Sequence, residues 1–123
     1  KEMMKDLSDK VEIKGDKVIR TTKAFGGMVT KTTFHFTGDK CTRLVVEAKY
    51  PDKKMAEKIH TGYKEVSHLF NDIKMEGNTV TYVQSGEMLE LGYGEYTKKS
   101  LRDKLQKDID DSKEIMEALK DEL

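Results

Sequence analysis

The sequence predicts an α+β domain: a mainly antiparallel sheet built from hairpins, packed on one face by a central helix and a C-terminal helix. Three observations predict it. A Gly followed by Asp or Asn sits three times between β-favouring runs, in Ile13-Lys14-Gly15-Asp16-Lys17-Val18, Phe36-Thr37-Gly38-Asp39-Lys40-Cys41 and Met75-Glu76-Gly77-Asn78-Thr79-Val80. Around these turns apolar residues alternate with period two. Two other stretches carry their apolar residues at helical spacing. Gly at the first central position of a two-residue loop supplies φ > 0 at no steric cost, which suits a type II′ turn whose twist matches the flanking strands. Hairpins interrupted by helices, without a βαβ alternation, give an antiparallel sheet under one helical layer.

Residues 1–10 are polar around a Met3-Met4-Leu7 cluster and are expected to form a tether or a frayed helical turn. Val11-Glu12-Ile13-Lys14 then alternates, and Val18 to Thr22 answers it across Gly15-Asp16. Phe25-Gly26-Gly27-Met28 breaks the pattern, as a bend or bulge does. Thr30 to Phe36 places Phe34 and Phe36 on one face and Thr33, His35 and Thr37 on the other. Its partner runs from Cys41 to Tyr50, with Leu44, Val46, Ala48 and Tyr50 sharing a face. One apolar and one wet face is the habit of an antiparallel sheet covered on one side only.

Pro51 suits a first helical position. From there Met55, Ile59, Tyr63, Val66 and Phe70 form one apolar stripe, ended by Asn71-Asp72. Gly62 inside this helix costs about 1 kcal/mol relative to Ala, and a close approach to the sheet would explain it. Ile73 to Met75 pairs with Thr79 to Val83, Val80 and Tyr82 facing away from Thr79, Thr81 and Val83. Met88-Leu89-Glu90-Leu91-Gly92-Tyr93 reads as a further strand. Thr97 or Ser100 caps a last helical segment over 98–123, Ser100 with Asp103 resembling a capping box. Leu101, Leu105, Ile109, Ser112, Met116 and Leu119 continue one face, and Asp110-Asp111-Ser112 is a candidate start for a separate final helix. All of 1–123 is expected to form a single domain, because 123 residues suit one core.

Lys+Arg and Asp+Glu number 23 each, so the formal net charge is zero although 37% of residues are charged. Read as interspersed, this balance supplies no basic field for phosphate backbones, and with 7% aromatics and no Trp it argues against nucleic-acid binding. Cys41 is the only cysteine, so neither an intramolecular disulfide nor a thiolate cluster can form. His60, Lys64 and His68 follow at i, i+4 steps, but the histidines are then about 12 Å apart along the helix, too far to share one ion. A Cys41–His35 dyad requires both side chains on one face of the second hairpin, and no third, orienting residue accompanies them. Gly92-Tyr93-Gly94-Glu95-Tyr96 is either a small recognition edge or a loop whose aromatics close the core. No catalytic, cofactor-binding or metal-ligating residue is assigned, and no cofactor is expected. The chain is expected not to be an enzyme.

The chain ends Lys120-Asp121-Glu122-Leu123, which in a eukaryotic secretory protein is an endoplasmic-reticulum retention address, and which continued helical composition also produces. It begins at Lys1 and not at Met, so the start of the gene product is read as absent, and whether a signal peptide or a lipidation site preceded it is left open. Phe36-Thr37-Gly38-Asp39-Lys40 leading into a strand, a lysine-rich helix with Tyr63-Lys64, the Thr-rich strand Thr79 to Val83, and Lys99-Ser100-Leu101 opening the last helix together resemble the small YehR-like bacterial lipoproteins of unknown function. That resemblance spans residues 30–110 and lacks the lipidated Cys. It implies an N-terminal lipid anchor to a membrane and a bacterial cell-envelope location, with no catalytic residue to carry over.

The function expected is therefore that of a non-catalytic envelope domain that binds a protein or a small ligand. The alternatives are a soluble interaction module such as an inhibitor or immunity protein, cytoplasmic or secreted, and an enzyme or ligand carrier using a pocket between sheet and helix. The outer sheet face, with Thr33, His35, Thr37, Val45, Glu47 and Lys49, is the surface on which a partner is expected. The long apolar face of the last helix also leaves a homodimer open.

Overall fold

The computed structural model describes residues 8–23, 27–66 and 72–122. Its strands are β1 (Ser8–Lys14), β2 (Lys17–Lys23), β3 (Val29–Thr37), β4 (Lys40–Lys49), β5 (Asp72–Glu76) and β6 (Thr79–Ser85). Its helices are α1 (Lys53–Glu65), α2 (Glu87–Tyr93) and α3 (Lys98–Glu122). All six strands form one antiparallel sheet in the order β1-β2-β3-β4-β6-β5, so the α+β class holds. The three Gly turns are two-residue loops closing β1–β2, β3–β4 and β5–β6. Gly15, Gly38 and Gly77 have φ of 60°, 62° and 59°, and among the described residues no other residue type has positive φ, which is the type II′ pattern and not the type I′ one. The third turn is clipped to the end of β4: Asn78 O accepts from Tyr50 N at 2.8 Å and Asn78 Nδ2 donates to Tyr50 O at 2.7 Å.

The three helices pack on the same side of the sheet. Val11, Val18, Phe34, Phe36, Cys41, Leu44 and Val46 meet Leu89 of α2 and Leu101, Leu105 and Ile109 of α3 in one core cluster, closed by Tyr82, Tyr93 and Tyr96. A second cluster joins Ala48, Tyr50 and Val80 to Ala56 of α1, with Met28, Ile59, Tyr63 and Met75 around it. On the same side, at the β1–β2 edge, the Arg20 guanidinium donates twice to Asp9, at 3.0 and 2.6 Å, and Thr22 Oγ1 donates to Asp9 at 3.0 Å. A bidentate, part-buried pair of this kind fixes geometry as well as contributing energy.

Several expected details are corrected. Ser8 to Lys10 belong to β1 and not to a tether or frayed turn; the cluster Met3-Met4-Leu7 lies outside the described residues. Pro51 precedes the helix, whose N-cap is Asp52, its carboxylate accepting from Met55 N at 2.8 Å. In α1 Ile59 and Tyr63 of the expected stripe do pack on the core, but Met55 and Val66 are exposed, and the fully buried position is the small Ala56, which lets the helix sit close to the sheet. That helix ends at Glu65, and Phe70 lies outside the described residues. Gly62 faces open space, so close approach does not explain it.

The predicted strand at Met88–Tyr93 is α2. A strand would align Leu89, Leu91 and Tyr93, whereas Leu89 is buried, Tyr93 half-buried and Leu91 84% exposed, the i, i+4 pattern of a helix. Thr97, one of the two expected caps, does cap α3, but the capping box is a different one. Thr97 Oγ1 accepts from Ser100 N at 3.1 Å and Ser100 Oγ accepts from Thr97 N at 2.8 Å, a reciprocal box in which Asp103 takes no part. Asp103 pairs with Arg102 instead. Helix α3 runs unbroken through Asp110-Asp111-Ser112, and Ser112 is exposed.

Candidate binding face

Parity along the strands decides what the other side of the sheet carries. From β1 to β5, the residues facing away from the core are Ser8, Lys10, Glu12 and Lys14; Lys17, Ile19, Thr21 and Lys23; Val29, Lys31, Thr33, His35 and Thr37; Arg43, Val45, Glu47 and Lys49; Thr79, Thr81, Val83 and Ser85; and Asp72, Lys74 and Glu76. Both core clusters lie on the opposite side, so among the described residues no helix covers this face. Registry places Ile19, Thr33, Val45 and Val83 side by side across four strands. Thr33, at the middle of that row, is only 8% exposed.

The charge of this face departs from the balance of the whole chain. Lys10, Lys14, Lys17, Lys23, Lys31, Arg43, Lys49 and Lys74 stand against Glu12, Glu47, Asp72 and Glu76, twice as many cations as anions. Charges balanced over the sequence are thus not interspersed over the surface. Over β1 to β3 the face forms a shallow, solvent-open concavity of about 510 Å³ bounded by Ser8, Lys10, Lys14, Thr21, Lys23 and Lys31, with Glu12 and Ile19 on its wall. Glu12 is engaged there by Lys14 at 3.5 Å.

His35 and Cys41 are not brought together. A bulge between His35/Phe36 and the facing strand pairs Cys41 with Phe36 and His35 with Arg43, so Thr42 is the extra residue. Cys41 and Leu44 then both point into the core, three positions apart, which strict alternation forbids. Cys41 is buried, its Sγ facing Arg43 O at 3.9 Å, and burial pushes its thiol pKa up, away from a reactive thiolate. His35 looks outward, on the opposite face of the sheet. His60 is half-buried on α1 and His68 lies outside the described residues. Among the described residues no group of three or more His, Cys, Asp or Glu side chains could hold a metal ion.

The Gly92–Tyr96 segment is part of the core. Tyr93 meets Phe34 edge-on at a ring separation of 4.9 Å and Tyr96 at 6.4 Å. A Cβ at Gly94 would sit 2.6 Å from Glu90 O, which accounts for that glycine.

Registry also sets the titration of His35. It lies between Lys17 of β2 and Arg43 of β4, and burial first, then these two cations, lower its pKa from the ordinary 6.5, Asp16 opposing. With the folded value below the unfolded one, the unfolded chain takes the proton first. The stability contributed by neutral His35 is present above about pH 6.5 and lost as pH falls through the folded value. Thermal unfolding followed from pH 7.5 to 5 is expected to show wild type losing stability relative to His35→Gln; parallel curves would refute the arrangement.

No protein-family model matches the chain, and no curated protein or solved structure is significantly similar to it. The face itself therefore carries the functional argument. Among the described residues no helix is long and apolar enough to cross a membrane.

Proposed function

We propose that this chain is a non-catalytic binding domain that presents its uncovered sheet face to a partner, displayed at a bacterial cell envelope. The observation that carries the reading is the bare face itself. Among the described residues the six-stranded sheet carries its helices on one side, and the other side holds a row of half-buried Ile19, Val45 and Val83 around the buried Thr33, flanked by cations. A face needed only for solubility has no use for an apolar row, whereas an interface needs an apolar centre with a polar rim. The separation of Cys41 from His35 supports the non-catalytic part. The resemblance to YehR-like lipoproteins supports the envelope location, and incorporation of a palmitate analogue into the full-length gene product checks it.

A photo-crosslinking residue at position 45, in the full-length protein in its native cells, is expected to give a discrete adduct. The same residue at position 107, on α3, is expected to give none. Adducts from position 107 alone, or from neither, would overturn the use of this face.

A further inference from the structure

Three lysines of the bare face surround one hydroxyl. Lys10 on β1 and Lys31 on β3 are the direct cross-strand partners of Thr21, one on each side, and Lys23 follows Thr21 on the same face of β2. Strand spacing puts the two flanking Cα atoms about 10 Å apart and that of Lys23 about 7 Å from Thr21, within the span over which lysine side chains converge. Ser8, opposite Lys23, adds a second hydroxyl at the rim. Among the described residues none of Lys10, Lys23 and Lys31 has a carboxylate within ion-pair distance: Glu12 is paired with Lys14, and Glu47, the cross-strand partner of Lys31 on β4, stays outside that distance.

Lys10, Lys14, Lys23 and Lys31 outnumber the carboxylates beside them, Glu12 on β1 and Glu47 opposite Lys31 on β4, and this local excess of positive charge around two hydroxyls is complementary to a compact, multiply charged oxyanion. Carboxylates and backbone carbonyls offer fewer charges in that space. The wall is concave, which does not mate with a planar bilayer, and at about 510 Å³ the open concavity has room for a compact ligand.

We propose that the concavity over β1, β2 and β3 binds a small soluble phosphate-bearing ligand, with Lys10, Lys23 and Lys31 neutralising the phosphate and Thr21 donating a hydrogen bond to it. The inference rests on the bare face being a binding surface, and deepens it by naming a ligand class. Nothing in the core depends on these side chains, since all three lie on the side away from both clusters.

The test is a titration with inorganic pyrophosphate followed by amide chemical shifts, against sodium chloride at matched ionic strength. Saturable shifts centred on Lys10, Thr21, Lys23 and Lys31 are expected, weakened at least tenfold in the Lys10→Ala/Lys31→Ala variant. Thermal unfolding of that variant, expected to match wild type, shows that it remains folded. Shifts that do not saturate, that spread equally over Lys104 and Lys107 of α3, or that persist in the variant would overturn the proposal. So would binding to phosphatidylglycerol vesicles without binding to pyrophosphate. The crosslink from position 45 is independent of all these results, so this inference can fail while the face remains an interface.

Discussion

Replacing Leu101 with alanine is expected to destabilise the domain by about 3 kcal/mol, the usual cost of a buried Leu-to-Ala cavity. Leu101 is fully buried and sits one turn into α3, directly behind the Thr97–Ser100 box. Leu105 and Ile109 follow at i+4 and i+8, and these three side chains attach the helix to the sheet. Cap and anchor are coupled: the reciprocal hydrogen bonds set where the helix starts, and the start sets which residues face β1 and β2. The same change at Ile115 should cost less than about 0.5 kcal/mol, because a surface position leaves no cavity. Ile115 belongs to the same helix but is 62% exposed. Urea unfolding of the two variants checks the contrast, and equal losses would mean that the distal part of α3 is packed in solution.

The strands were legible because each hairpin states its own register. A two-residue loop at Gly15-Asp16 leaves Lys14 opposite Lys17, and every later pair in that hairpin follows by counting. Counting fails at Cys41. The bulge adds Thr42, reverses parity for one residue, and brings a small apolar side chain into the core; no local signal in Lys40-Cys41-Thr42-Arg43 announces it. The reading of Met88–Tyr93 failed for a different reason. Seven residues hold too few turns for period 3.6 to be told from period two, and the decision came from tertiary packing, with Leu89 buried and Leu91 left in water. In α1 the stripe was right at Ile59 and Tyr63 and wrong at Met55 and Val66; it missed Ala56, which contributes closeness and not bulk and which a search for large apolar residues passes over.

The basic concavity was legible in principle and was hidden by averaging. Net charge sums both sides of the sheet, whereas the strand period separates them. Lys10, Lys23 and Lys31 all fall on the parity of the wet face once the turns fix the register, and their convergence on Thr21 needs only the pairing β1-β2-β3. What sequence could not supply is curvature. The concavity of about 510 Å³ is a property of how three adjacent strands twist and coil together, and no residue encodes it alone.

Phe34→Ala is expected to be the most damaging single substitution, at about 4 kcal/mol, within the range for aromatic truncation in a packed core. Phe34 is 2% exposed at the middle of the main cluster, paired with Val18 on one side and Leu44 on the other, with the Tyr93 ring edge-on above it. Phe34→Leu keeps most of the apolar volume and loses the ring, so it separates the two contributions. A double-mutant cycle of Phe34→Leu with Tyr93→Leu is expected to give a coupling of about 1 kcal/mol, the usual size for an aromatic pair beyond its buried area. Coupling near zero would reduce the pair to simple burial. Because strand parity turns Thr33 and His35 away from Phe34, the loss of stability should leave the bare face unaltered. Phe34→Leu, measured where it is still folded, should therefore bind pyrophosphate as wild type does; a parallel loss of binding would mean that core packing sets the curvature on which the lysine cluster depends.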